Sequence, residues 1–348
     1  MRVEIGAMLH VHDAPPDVAA RLQDRATFRN PEHRKRERLG LSTWGVPPDL
    51  LLWRAEGGAL VLPRGLLGEV RRAAPNIILA DSRLTLGAVD FRWRGALRPE
   101  QKQAAGAAFH AEGGVVVGPC GSGKTEMGLA CIAAWRQSTL WIVHTNDLAR
   151  QALERAQSLF GLPADAFGMI GDGRYQVGTR LTVATVQTLV RRDLGALSGY
   201  FGAIVLDEAH HAPASTFLHV LQAFPARFRL GLTATPDRAD GLGGAMLAVF
   251  GPVAARLTTA DLAAAGRVLL PTVWQVATAF RYTYQADYGA LLAALCADPD
   301  RNALIAETAA AEVRAGHACL VLSERVGHCH LLASTMAAEA PDVPSAVM

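Results

Sequence analysis

The chain has 348 residues, 50% of them hydrophobic and 19% charged, with a formal net charge of +2 at pH 7. That is enough for two or three domains with sizeable cores, and so small a charge makes no case for nucleic acid by itself. No uncharged apolar stretch reaches membrane-spanning length, Met1-Arg2-Val3-Glu4-Ile5 has no signal-peptide apolar core, and the five cysteines show no paired framework, so a cytoplasmic protein with reduced thiols and no membrane contact is expected.

Residues 1–95 are rich in Arg and Pro, with strand-like runs at Ala59-Leu60-Val61-Leu62 and Ile77-Ile78-Leu79. A small α+β accessory domain is expected there. Arg29, Arg34, Lys35, Arg36 and Arg38 lie near Phe28, Trp44 and Trp53, but Glu32 and Glu37 interrupt them. The stretch reads equally as a basic, aromatic nucleic-acid surface and as a solvated face.

Residues 96–255 alternate apolar strands with helical segments. The strands are Val115–Val117, Leu140–His144, Leu181–Ala184, Ala203–Leu206 and Phe228–Leu232. Helical stretches follow at Met127–Trp135 and Asp147–Leu159. Such alternation predicts an α/β fold, a parallel sheet with helices on both faces, with ligands at the carboxyl ends of the strands.

Between the first strand and its helix lies Gly118-Pro119-Cys120-Gly121-Ser122-Gly123-Lys124-Thr125. Two glycines five apart followed at once by Lys-Thr fit a phosphate-binding loop. Gly118, Gly121 and Gly123 let the backbone curl, so that N–H groups there and at Ser122 point at one anion. The helix N-terminus adds partial positive charge. Lys124 would reach the β- and γ-phosphates of ATP, and the Thr125 hydroxyl would hold Mg²⁺. Only three of the 34 basic residues are lysines, Lys35, Lys102 and Lys124. One of them stands where a compact ammonium fits between phosphates.

The strand Ala203–Leu206 ends in Asp207-Glu208-Ala209-His210. In a phosphate-loop fold, Asp207 would bind Mg²⁺ and Glu208 would orient the attacking water. Further on, residues 256–300 read as a connecting segment. A helix from Asn302 leads to a strand at Ala318–Leu322. Cys329 lies between His328 and His330, but two further metal ligands at useful spacing are missing, which favours a bystander role.

Taken together, these motifs resemble the superfamily 2 helicases of the DEAH-box kind, and within them the XPB-like DNA helicases. The resemblance covers about residues 95–335. Leu97-Arg98-Pro99-Glu100-Gln101 resembles the segment before the first core strand, in which Gln101 would read adenine and Arg98 would belong to the nucleotide site. Val143-His144-Thr145-Asn146-Asp147-Leu148 resembles motif Ia and Ala184-Thr185-Val186-Gln187-Thr188-Leu189 motif Ib. Leu230–Pro236 resembles motif III and Leu320–Val326 motif IV. The Arg-Glu-Asp run of XPB-like proteins is Arg238-Ala239-Asp240 here.

The resemblance implies a RecA-like lobe over 96–255 and the beginning of a second one over 301–348, without counterparts of motifs V and VI. It implies an ATP hydrolase that moves on nucleic acid. The catalytic residues would be Lys124, Asp207, Glu208 and His210. DNA, single-stranded or forked, is the expected partner, with RNA as the alternative. His144, Thr145, Gln187 and Thr188 would contact it, and Thr233, Thr235, Arg238 and Asp240 would couple it to ATP. Other readings are a non-hydrolysing assembly subunit, a restriction-enzyme translocase subunit, and a phosphate-loop ATPase of another class.

Overall fold

The apolar runs of residues 113–256 become neighbours in one sheet. In the computed structural model, which describes residues 1–208, 214–235, 243–285 and 287–347, eight described strands form it. In spatial order they are Arg174–Gln176, Phe167–Gly171, Leu181–Thr185, Thr139–Val143, Ala203–Leu206, Phe228–Thr233, Gly113–Val117 and Val253–Arg256. Every pair is parallel except the hairpin of the first two.

Side-chain alternation along a strand supplies two cores. Val115, Val117, Leu140, Ile142, Ile204 and Leu206 enter one buried cluster. Val116, Trp141, Val143, Ala203 and Val205 enter the other. Helices Pro99–His110, Lys124–Trp135 and Asn146–Leu159 cover the second cluster. Helices Val186–Val190, Ala214–Leu221 and Gly243–Phe250 lie on the first. A parallel-rich sheet with helices on both faces is the α/β arrangement expected from the sequence.

The N-terminal residues form a five-stranded sheet, ordered Arg54–Glu56, Ala59–Pro63, Met8–His12, Arg2–Ile5 and Ile78–Asp81. Val3, Leu9, Val11 and Leu62 share the first core cluster with the larger sheet. The two sheets therefore belong to one unit, Met1–Leu270. Gly65, just after the strand Ala59–Pro63, packs against the end of the helix Gly243–Phe250. A Cβ there would fall 2.4 Å from the Gly251 amide and the Leu247 carbonyl oxygen.

The basic stretch becomes the helix Pro31–Arg38, with no buried side chain. Arg36 pairs with Glu32 at 2.8 Å and Arg29 with Asp49 at 3.1 Å. Trp44 is 92% exposed. Trp53 instead donates to the Thr27 hydroxyl at 3.0 Å.

A second unit begins at Pro271. Its helices are Tyr288–Ala297, Pro299–Arg314 and Val326–Glu339. Asp287 and Asp298 cap the first two by accepting from Ala290 N and Arg301 N. Ala306, Ala310 and Met336 form its small core. The strand expected at Ala318–Leu322 is absent. Leu320 and Leu322 are 67% and 82% exposed, and no described strand of this unit offers a ladder partner. A lone strand leaves its N–H and C=O groups to water. Among the described residues no helix is long and apolar enough to cross a membrane.

Gly65→Ala should lower stability by about 1–3 kcal/mol, because its neighbours are backbone atoms that cannot yield cheaply. Calorimetry would show this as a fall in Tm. An unchanged Tm would mean that Gly65 does not meet the end of the helix Gly243–Phe250 this closely.

Candidate nucleotide site and its flanks

Three adjacent strands end at one place. Val117, Leu206 and Thr233 are their last residues, and the Phe228–Thr233 strand lies between the other two. The Gly118 amide donates to the Thr233 carbonyl at 2.9 Å, which ties the start of the glycine-rich loop to the neighbouring strand.

The loop then curls through positive φ at Gly121 (78°) and Gly123 (79°), where a Cβ would be strained. At Gly123 a Cβ would also fall 2.1 Å from Gln101 Nε2. Gln101 braces the loop: its Nε2 donates to the Ser122 carbonyl at 2.9 Å, and Arg98 Nη2 donates to the same oxygen at 2.8 Å. Ser122 is fully buried, and its Oγ has no protein partner among the described residues.

Lys124 begins the following helix and is only 7% exposed. Its Nζ donates to the Gly118 carbonyl at 3.1 Å and lies 3.5 Å from Glu208 Oε1. Thr125 Oγ1 donates to Asp207 Oδ2 at 3.4 Å. The Glu208 amide donates to Asp207 Oδ1 at 3.0 Å. Glu208 sits at φ 53°, a conformation a non-glycine residue adopts at some cost. Burial pushes the Asp207 carboxyl up to about 6, and the Glu208 charge pushes the same way, while Lys124 opposes them.

The donor set suits Mg²⁺. Among the described residues no cluster of three or more His, Cys, Asp or Glu side chains gathers that could cage a metal. Mg²⁺ needs no such cage: it keeps waters and phosphate oxygens and takes one or two protein oxygens. Thr125 and Asp207 offer that pair.

Beside this site, strands Thr139–Val143 and Leu181–Thr185 pair with Val143 opposite Thr185. Their following residues meet. Gln187 Nε2 donates to His144 Nδ1 at 3.1 Å. Thr145 caps its helix by accepting from Leu148 N at 3.3 Å, and the Thr185 and Thr188 hydroxyls lie 2.8 Å apart. Thr233 Oγ1 accepts from the Thr235 amide at 3.3 Å. His210, Arg238 and Asp240 lie outside the described residues.

Sequence reasoning missed Gly171. A Cβ there would lie 3.2 Å from Thr185 Oγ1 and 3.3 Å from Asn146 Oδ1, so this turn packs against the pair of segments carrying His144 and Gln187. The signal was Ile170-Gly171-Asp172-Gly173, a turn at the end of an apolar run.

Residues 94–238 match the family model described as Type III restriction enzyme, res subunit. The chain is 33% identical over 167 residues to the DNA 3'-5' translocase XPB2 of Sulfurisphaera tokodaii, covering 48% of this chain and 37% of that protein. It is 35% identical over 164 residues to the DNA 3'-5' helicase XPB of Kineococcus radiotolerans, covering 45% and 29%. Residues 94–238 are thus similar to that restriction-subunit family and to XPB-type superfamily 2 helicases.

Fold comparison extends beyond residues 94–238. The crystal structure of bacteriophage T4 UvsW superposes with a TM-score of 0.58 over 97% of this chain and 73% of that one, at 16% identity. That likeness concerns the RecA-like fold alone. The matched segments span about a third of the curated relatives' length.

The raised Asp207 pKa has a stability consequence. The folded state holds this proton more tightly than the unfolded chain, so folding is favoured most below the unfolded value near 3.8. That advantage is lost as pH rises through about 6. Without metal or nucleotide, Asp207→Asn should therefore stabilise the protein at pH 8, by about 2–3 kcal/mol at most, and much less at pH 4. Denaturant titration at both pH values checks this; a variant less stable than the parent at pH 8 would contradict it.

Proposed function

We propose that the XPB-like lobe binds ATP with Mg²⁺ and hydrolyses it to drive movement on DNA. The observation that carries this reading is the meeting of Lys124 with Glu208 and of Thr125 with Asp207, on strand ends joined by the Gly118–Thr233 hydrogen bond.

The roles follow from the chemistry. N–H groups of Gly121, Ser122 and Gly123 cradle phosphate oxygens, and Lys124 neutralises the β- and γ-phosphates. Thr125 and Asp207 would hold Mg²⁺, which neutralises charge on the phosphate oxygens. Glu208 orients the attacking water and takes its proton. Arg98 and Gln101 hold the loop in shape at the adenine side. His210 completes a DEAH-type motif with Asp207 and Glu208.

His144, Thr145, Gln187 and Thr188 form the DNA-facing edge. Hydroxyls and helix N-termini grip phosphates without reading sequence. Thr233 and Thr235 link that edge to the loop through Gly118, with Arg238 and Asp240 as further coupling residues. DNA is favoured over RNA by the XPB relatives, whose names specify DNA. Five free cysteines suit a reducing, cytoplasmic setting. A restriction-type translocase subunit is the second reading, favoured by the family model's description. It uses the same motor chemistry.

Two substitutions separate binding from chemistry in the full chain. Lys124→Ala should abolish measurable ATP binding in calorimetry. Glu208→Gln should keep ATP·Mg²⁺ binding and lower DNA-stimulated turnover by about 10²–10⁴-fold. Parental turnover by Glu208→Gln would refute the catalytic role. ATP turnover by the parent that ignores DNA would refute the motor reading and favour an ATPase of another class. A restriction subunit would need its recognition sequence in the duplex, whereas an XPB-like motor would not.

A further inference from the structure

A second cationic site lies at the other ends of the same strands. A cavity of about 280 Å³ opens where the N-terminal sheet meets the starts of the Gly113–Val117 and Phe228–Thr233 strands. Arg64, Arg71, Arg83 and Arg229 line it, with Glu112 as the one acidic side chain in its wall.

The carboxylates in reach are already committed. Arg83 donates through Nε and Nη2 to Asp81 at 2.9 and 2.7 Å and through Nη1 to Glu112 at 2.9 Å. Arg227 takes the other Glu112 oxygen at 3.0 and 2.6 Å. Three guanidinium groups are left without an acid. Arg64 donates only to the main-chain oxygens of Ala226 and Arg227, at 2.6 and 3.1 Å. Arg71 has no hydrogen bond or ion pair among the described residues.

Arg229 is the most telling. It is 1% exposed, and its Nη2 donates to the carbonyls of Ala7, Leu221 and Phe224, each at 3.1 Å. Its Nε and Nη1 are buried with no acceptor in the protein among the described residues. Burial lowers its pKa to about 10, and Arg64 is pushed down by burial and then by the Arg229 and Arg83 charges, with Asp81 and Glu112 opposing more weakly. A buried guanidinium with donors unmet is costly, and like charges gathered around one cavity add to the cost. A multiply charged oxyanion relieves both, since guanidinium forks match its oxygens.

We propose that this cavity binds a small phosphate-class oxyanion, inorganic phosphate or pyrophosphate. The ion bridges Arg64 and Arg71 of the N-terminal region to Arg229 of the larger sheet and so ties the two sheets together. The site is independent of the nucleotide reading. The strands that begin at it end at Val117 and Thr233, at the opposite end of the sheet.

The test uses the full chain carrying Lys124→Ala, so that the glycine-rich loop does not compete for the ion. Phosphate and pyrophosphate are titrated by calorimetry and by thermal unfolding, against sodium chloride at equal ionic strength. The expected result is saturable binding with a rise in Tm that chloride does not reproduce, stronger for pyrophosphate. Adding Arg71→Ala, at an exposed residue whose loss should leave the fold intact, should weaken binding about tenfold or more. Arg229→Gln should weaken it further where it folds. Equal effects of chloride and phosphate, or undiminished binding in the Arg71→Ala variant, would overturn the proposal. Binding of an oligonucleotide but of neither ion would overturn it too, and would make the cavity part of a nucleic-acid groove.

Discussion

The ammonium of Lys124 is buried, and a buried ammonium must be matched by oxygen atoms. Gly118 supplies a carbonyl and Glu208 a carboxylate. These partners stand on different strands, so the match depends on register. Thr233 lies opposite Val117, and Leu206 lies opposite Gly231. Slipping either pairing by one residue would turn every side chain to the other face and part Lys124 from Glu208. The two apolar cores hold that register, and through it the site.

Strain and unfavourable charge gather at the strand ends rather than in the cores. Glu208 adopts a left-handed backbone conformation, and Asp207 carries a carboxyl that burial pushes upward. Among the described residues the buried Ser122 hydroxyl has no protein partner. Each feature costs free energy that apolar packing must offset, and such costs are kept where a ligand can relieve them. The arginine-lined seam at the opposite end of the sheet has the same character. The central strands between these two ends are almost wholly buried, and the unpartnered Trp141 Nε1 is a smaller, neutral cost among them.

Much of the lobe was legible because its signals are local. Val115–Val117 and Ala203–Leu206 are short apolar runs, and each is followed at once by residues proposed to do the chemistry. Glycines 121 and 123 were readable from the phosphate-loop pattern, and both adopt a positive φ. The Phe167–Gly171 strand was not legible, because two glycines interrupt its apolar run. Gly168 is needed there since a Cβ would fall 2.2 Å from the Gly178 amide, a contact no sequence window reveals. Ala318–Leu322 misled in the opposite direction: its apolar composition suggests a strand, but a strand exists only with a partner. The bracing of Ser122 by Arg98 and Gln101, and the seam of arginines 64, 71 and 229, join residues far apart in the chain and follow from tertiary structure alone.

The central claim is that Lys124 holds phosphate. It is tested most directly by a crystal structure of the chain with Mg²⁺ and a non-hydrolysable ATP analogue. Lys124 Nζ is expected to leave the Gly118 carbonyl for the β- and γ-phosphate oxygens, with Thr125 and Asp207 holding the metal. A nucleotide bound elsewhere, with Lys124 still on Gly118, would contradict it.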